Sequence, residues 1–254
     1  MSLFHRKPKQ SDDTSMHGVR LITATEPKNV IAEQFRTVRT NIEFSAVDKT
    51  LKTILFTSSE QSEGKSTVAT NTAVTWAQQG KKVLLIDADM RRPTLHATFS
   101  FPNTQGLSSI LAGNADLQDT VHPTVIKNLA ALTRGPIPPN PADLLNSKRM
   151  HTLLETVQAQ YDVVVLDVPP LLSVTDSQLL SASVDGVILV VRQGVAQRVD
   201  VQRSVELLKM SKATLLGYVL NDVEPKHGHG YGYGYGYGYG YGYGYGYESK
   251  AKSK

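Results

Sequence analysis

The chain has 254 residues, 40% of them hydrophobic, and no cysteine. This suits one α/β domain with an appended tail, and it excludes a disulfide-stapled scaffold and a membrane span of the usual ~18 or more apolar residues. The formal net charge of +4 comes from the two ends, and the stretch between them is balanced, so no broadly basic face is offered to nucleic acid.

Residues 1–28 read as a mobile N-terminal arm, because their opening is polar, charged and without period. From Asn29 to Phe44 a helical spacing emerges, with Val30, Phe35, Val38 and Ile42 near one stripe. Glu33, Arg36 and Arg39 fall at i, i+3 and i+6 on its flank. Two readings are open for them: a solvated face with local ion pairs, or a subunit interface where arginine forks meet a neighbour's carboxylates.

The segment Leu51–Thr67, LKTILFTSSEQSEGKST, organises the rest. Its apolar start predicts a buried strand, and Gly64-Lys65-Ser66-Thr67 opens a helix running from about 66 to 79. Strand, loop and Lys-Ser at a helix start form a phosphate-binding P-loop, although Ser59 stands where the full pattern has glycine. In such a loop, backbone N–H groups and the helix dipole cradle an anion. Lys65 supplies a mobile charge and the Ser66 hydroxyl suits Mg²⁺.

A second strand, Lys82–Ile86, runs into Asp87-Ala-Asp89-Met-Arg91. Two carboxylates so close at a strand end need a cation or a proton to reconcile them. Residues 94–127 read as short helical pieces and turns, Leu129–Leu132 as a short strand, and a helix reaches about Ala159. Tyr161–Asp167 reads as a strand buried on both faces, and it too ends in an acid, Asp167, before Val168-Pro169-Pro170. Gly186–Val191 is a further apolar strand, Val201, Val205 and Leu208 mark a helix, and Ala213–Leu220 is the last strand before Asn221. Strands alternating with helices predict an α/β fold with a doubly wound, mainly parallel sheet. Three strand ends would then bring Lys65 and Ser66, Asp87 and Asp89, and Asp167 to one edge.

From His227 the chain becomes HGHG and then nine tyrosines alternating with eight glycines, closing at Tyr247. This composition cannot build a core, so residues 227–254 read as a disordered, low-complexity tail. The ten residues from Asn221 to Tyr231 reach at most roughly 33–36 Å, enough for their own nucleotide site or a neighbour's. Mobile phenols beside such a site suggest phosphoryl transfer to tyrosine, with a carboxylate to take the phenolic proton.

These motifs resemble the bacterial tyrosine kinase family of capsule and exopolysaccharide synthesis, cytoplasmic Gram-positive type. Ser59–Thr67 matches its Walker A motif, Val83–Arg91 its second aspartate motif and Val163–Pro170 its Walker B motif. Glu33, Arg36 and Arg39 match its oligomerisation signature. The resemblance implies that ATP and Mg²⁺ are bound around Ser59, Glu63, Gly64, Lys65, Ser66, Thr67, Arg91 and Asn221. Ser66, Asp87, Asp89 and Asp167 would surround the metal, and Lys65 with the three aspartates would form the catalytic group, Asp87 being the favoured base. It implies phosphoacceptors at Tyr231, Tyr233, Tyr235, Tyr237, Tyr239, Tyr241, Tyr243, Tyr245 and Tyr247. It further implies a ring-like homo-oligomer, a transmembrane polysaccharide co-polymerase that activates the kinase at the inner face of the plasma membrane, and a cognate tyrosine phosphatase. A related class, the ATPases that position division sites or cargo, carries a signature lysine where this chain has Glu60. A nucleotide-dependent scaffold would share every fold-level feature.

Overall fold

The computed structural model describes residues 14–46 and 50–223. Three helices come first: α1 (Thr14–His17), α2 (Ile22–Thr25) and α3 (Val30–Phe44). Then follow β1 (Thr53–Ser58), α4 (Lys65–Gln78), β2 (Val83–Asp87), α5 (Leu95–Phe99), α6 (Leu107–Ala112), α7 (Leu117–Thr120), β3 (Val121–Pro123) and β4 (Leu129–Leu132). The remainder is α8 (Pro141–Leu145), α9 (Lys148–Gln160), β5 (Val163–Asp167), α10 (Asp176–Ser181), β6 (Gly186–Arg192), α11 (Arg198–Met210) and β7 (Leu215–Asn221).

The strands form one sheet in the order β3-β4-β2-β5-β1-β6-β7. Every neighbouring pair is parallel except β3 with β4. The expected doubly wound sheet is therefore present, with an antiparallel edge strand added. All residues of β1, β2 and β5 are buried, as their unbroken apolar runs demand of strands covered on both faces. Alternation along each strand divides the core in two. Ile54, Phe56, Leu85, Val165 and Ile188 pack under α3 and α4, while Leu55, Leu84, Ile86, Leu166 and Leu189 pack under α6, α8, α9 and α11.

Helix α4 is wedged between the sheet and α3, which explains why Ser66 and Val68–Ala77 are buried although the helix carries many threonines. Most of these polar groups find partners, Thr72 Oγ1 donating to Val68 O (2.7 Å), Thr75 Oγ1 to Thr72 O (2.7 Å) and the Trp76 indole N–H to Glu43 Oε1 (2.9 Å), while Thr70 Oγ1 has none. Asn71 points the other way. Its Oδ1 accepts from the backbone N–H and hydroxyl of Thr23 (3.1 and 2.9 Å), and its Nδ2 donates to Arg20 O (2.9 Å). Of residues 14–28, grouped from composition with the arm, α2 is thus docked onto α4, while the Val19 N–H donates to Thr98 Oγ1 of α5 (2.9 Å), and Val19, Ile22 and Thr23 are buried. Residues 1–13 of the arm, and the whole tail 227–254 with its tyrosines, lie outside the described residues. Among the described residues no helix is long and apolar enough to cross a membrane.

Candidate active site

The three strand ends expected to meet do so. Strand β5 lies between β1 and β2, with Asp87 and Asp167 directly paired across the β2–β5 ladder and Phe56 opposite Asp167 on the other side. The loop 59–64 leaves β1 at this edge. Gly64, its last residue, has φ +89° and caps α4 in the left-handed conformation, which glycine adopts without strain. A Cβ there would lie 2.1 Å from Asn221 Nδ2, and that amide donates to Glu63 O at 3.0 Å. Asn221 thus braces the phosphate loop from the end of β7.

Beside it, Arg192 at the end of β6 donates to Ser62 O (3.0 Å) and to Asp222 Oδ2 (2.8 and 3.0 Å). Glu63 turns inward. Its buried carboxylate accepts from the Glu60 N–H (2.8 Å), leaving Oε2 unpartnered, and burial raises its pKa. Glu63 therefore shapes the loop with its side chain. Ser59 is buried with an unpartnered hydroxyl, and Thr67 is half-buried one residue past Ser66.

Lys65 reaches across to the acids. Its Nζ is 2.9 Å from Asp89 Oδ2, 3.5 Å from Asp167 Oδ1 and 3.3 Å from Ser66 Oγ. Burial alone would favour the neutral amine, but Asp167, Asp89 and Asp87 overcome it and hold the pKa above the ordinary lysine value. Asp87 is fully buried. One oxygen accepts from the Thr94 and Leu95 N–H groups (2.8 and 3.0 Å), and Oδ1 has no partner. Burial, reinforced by the Asp167 charge, pushes it up to about 7. Asp167 is raised for the same first reason, with Lys65 pulling against it, and its Oδ2 is unpartnered. Asp89 is held at the turn by the N–H groups of Arg91 and Arg92 (3.1 and 2.9 Å).

Two charged groups absent from the motifs complete the constellation. Arg134, only 7% exposed, donates to Met90 O (3.1 Å) and Gly135 O (2.9 Å). Burial opposes its charge, while Asp87 and Asp89 favour it, so it stands behind the aspartate turn as a fixed cation. Asp176 is fully buried at the start of α10, with Arg91 Nε 3.8 Å away. Each is a lone charge in an aperiodic stretch, which leaves no sequence signal.

A divalent cation fits this donor set by its chemistry. Asp87 Oδ1 and Asp167 Oδ2 are buried carboxylate oxygens without partners, Ser66 Oγ lies nearby, and all are hard oxygen ligands. Among the described residues no three acidic or imidazole side chains close into a cage for a metal. That is how Mg²⁺ is usually held, by one or two carboxylates with water and substrate phosphate.

Glu33 and Arg36 pair with each other on α3, and Arg36 also donates to Pro27 O (2.9 Å). Arg39, 13% exposed, donates to Thr75 O (3.2 Å) and so fastens α3 to α4 within the chain. Only Glu33 and Arg36 are presented outward to any extent.

The loop, the paired strand-end acids and the parallel sheet define a nucleotide-binding P-loop protein. Residues 51–212 match the AAA domain family. The chain is 48% identical over 201 residues to "Tyrosine-protein kinase YwqD" of Bacillus subtilis, covering 79% of this chain and 85% of the relative. It is 39% identical over 196 residues to "Putative tyrosine-protein kinase CapB" of Staphylococcus aureus, covering 77% and 86%. The fold superposes on the kinase domain of Escherichia coli tyrosine kinase ETK with a TM-score of 0.80 at 33% identity, covering 86% of each chain. The chain belongs to the bacterial tyrosine kinase family.

Proposed function

We propose that this kinase uses ATP with Mg²⁺ to phosphorylate tyrosines of its own tail, Tyr231–Tyr247, in trans within a homo-oligomer. The observation that carries the reading is the convergence of Lys65, Asp87, Asp89 and Asp167 at the end of the phosphate loop. Backbone N–H groups of residues 59–67 hold the nucleotide phosphates, and Asn221 keeps their loop in shape and lies beside the base. Lys65 exchanges part of its contact with Asp89 and Asp167 for the transferring phosphate. Ser66, Asp87, Asp89 and Asp167 would hold Mg²⁺, directly or through water, together with phosphate oxygens, and the bound ion would offset charge on the phosphates. Asp87 takes the phenolic proton as the tyrosine oxygen bonds to phosphorus and the bond to the ADP oxygen breaks. Burial and the neighbouring Asp167 charge favour proton uptake at Asp87, which is the direction that task requires.

Glu33 and Arg36 meet a neighbouring subunit. A transmembrane co-polymerase of capsule or exopolysaccharide synthesis brings the kinase to the inner face of the plasma membrane, and a tyrosine phosphatase resets the tail. Intact-mass spectrometry after incubation with ATP, with and without the partner's cytoplasmic segment, tests this. Multiple phosphates on Tyr231–Tyr247 are expected. Free phosphate released without tail modification would replace the reading by a nucleotide-driven switch.

A further inference from the structure

Asp176 takes no part in the scheme above, yet it is fully buried and neither of its carboxylate oxygens has a hydrogen-bond partner. Burial raises its pKa against the opposing pull of Arg91. A carboxylate in that situation destabilises the fold unless a cation compensates it. The compensating cation is Arg91, whose Nε stands 3.8 Å away, an ion-pair distance rather than a hydrogen bond.

Arg91 is held at both ends. Its backbone N–H donates to Asp89 Oδ1 (3.1 Å), and its guanidinium faces Asp176. The support under Asp176 is also fixed, because Ser177 Oγ donates to Pro169 O in the loop after β5, and that carbonyl accepts from Thr57 Oγ1 as well (2.8 Å). With Nε turned inward and the side chain 50% exposed, the two Nη groups are left for an acceptor. A planar fork oriented in this way suits bidentate contact with phosphate oxygens.

We propose that Asp176 is a positioning residue for phosphoryl transfer, acting through Arg91, which it aims at a phosphate group in the reacting complex. This rests on the kinase reading and on the phosphate role of Arg91 given above. A purely structural Asp176 and a positioning one differ in a measurable way. Asp176→Asn removes a buried charge, so its thermal midpoint should stay level or rise, while turnover falls.

The test uses the full chain and its activating segment. Initial rates of tail phosphorylation are measured against ATP, with fluorescent-nucleotide affinity and thermal unfolding alongside. Asp176→Asn and Arg91→Ala should each lower kcat about tenfold, the size of one charge-assisted contact. KM for ATP should change little, and the double variant should be no slower than either single one. Arg91→Lys, which keeps the charge but loses the planar fork, should be as slow as Arg91→Ala, and it decides the matter even if Asp176→Asn folds poorly. Wild-type kcat in Asp176→Asn, losses that multiply in the double variant, or full activity in Arg91→Lys would each overturn the proposal. Wild-type kcat in Arg91→Ala would also remove the phosphate role of Arg91. A wild-type chain that makes no phosphotyrosine would remove the kinase reading itself.

Discussion

Asp87→Asn should stabilise the protein while disabling it. The amide keeps an oxygen for the Thr94 and Leu95 N–H groups and discards the charge. Asp87 is raised from 3.8 to about 7 in the folded chain, by burial first and then by Asp167. The native state therefore binds this proton more tightly than the unfolded state. Stability from the protonated acid is fully present below its unfolded value and is lost as pH climbs through about 7. Roughly three pK units at 1.36 kcal/mol each give about 4 kcal/mol by pH 8 as an upper figure, and almost nothing at pH 4. Urea unfolding followed by fluorescence of Trp76, the single buried tryptophan, measures the gap between variant and parent across that range. The gap should widen with pH, and the variant should show no phosphotransfer anywhere in that range. A gap that is absent at pH 8, or constant with pH, would refute the account of a strained carboxylate at this position.

Lys65→Met should abolish tail phosphorylation and also lower stability by about 3–5 kcal/mol, since it strips the buried acids of their cation. Adding Asp87→Asn to it should restore stability, seen in unfolding curves, without restoring activity. Gly64→Ala should cost about 2 kcal/mol, combining the left-handed backbone with the lost Asn221–Glu63 hydrogen bond, and should weaken nucleotide binding measured by titration. Arg36→Ala should shift sedimentation toward the monomer with an unchanged thermal midpoint, whereas Arg39→Ala should lower the midpoint because Arg39 serves Thr75 O. Equal behaviour of the two would assign α3 one role instead of two.

The sheet was legible because parallel strands buried on both faces must be continuously apolar, as Val163–Leu166 and Gly186–Val191 are. Asp87 and Asp167 were legible because each closes such a run where a P-loop fold presents its ligands, and Asp89 because it follows Asp87 after a single alanine. Strand β3 was not, being three residues long and ending in Pro123, which an edge position tolerates. The packing of residues 14–28 was not legible because it runs through partners far along the chain. Those partners are Asn71 on α4 and Thr98 on α5, polar residues of distant helices. Arg134, Asp176 and Arg192 matter through partners 44, 85 and 130 positions away, and no local spacing encodes such pairings.

The facing of Asp87 and Asp167 across a single rung of the ladder also bears on how the enzyme comes into being. Side chains alternate between sheet faces, so a slip of one residue between β2 and β5 would send one of the two acids to the opposite side. Lys65 and Asp167 lie 102 positions apart in the chain, and they meet only after the crossovers around them have closed. A half-folded or mis-threaded molecule would therefore carry the phosphate loop without the chemistry, and a newly made chain should remain silent until its central sheet has locked.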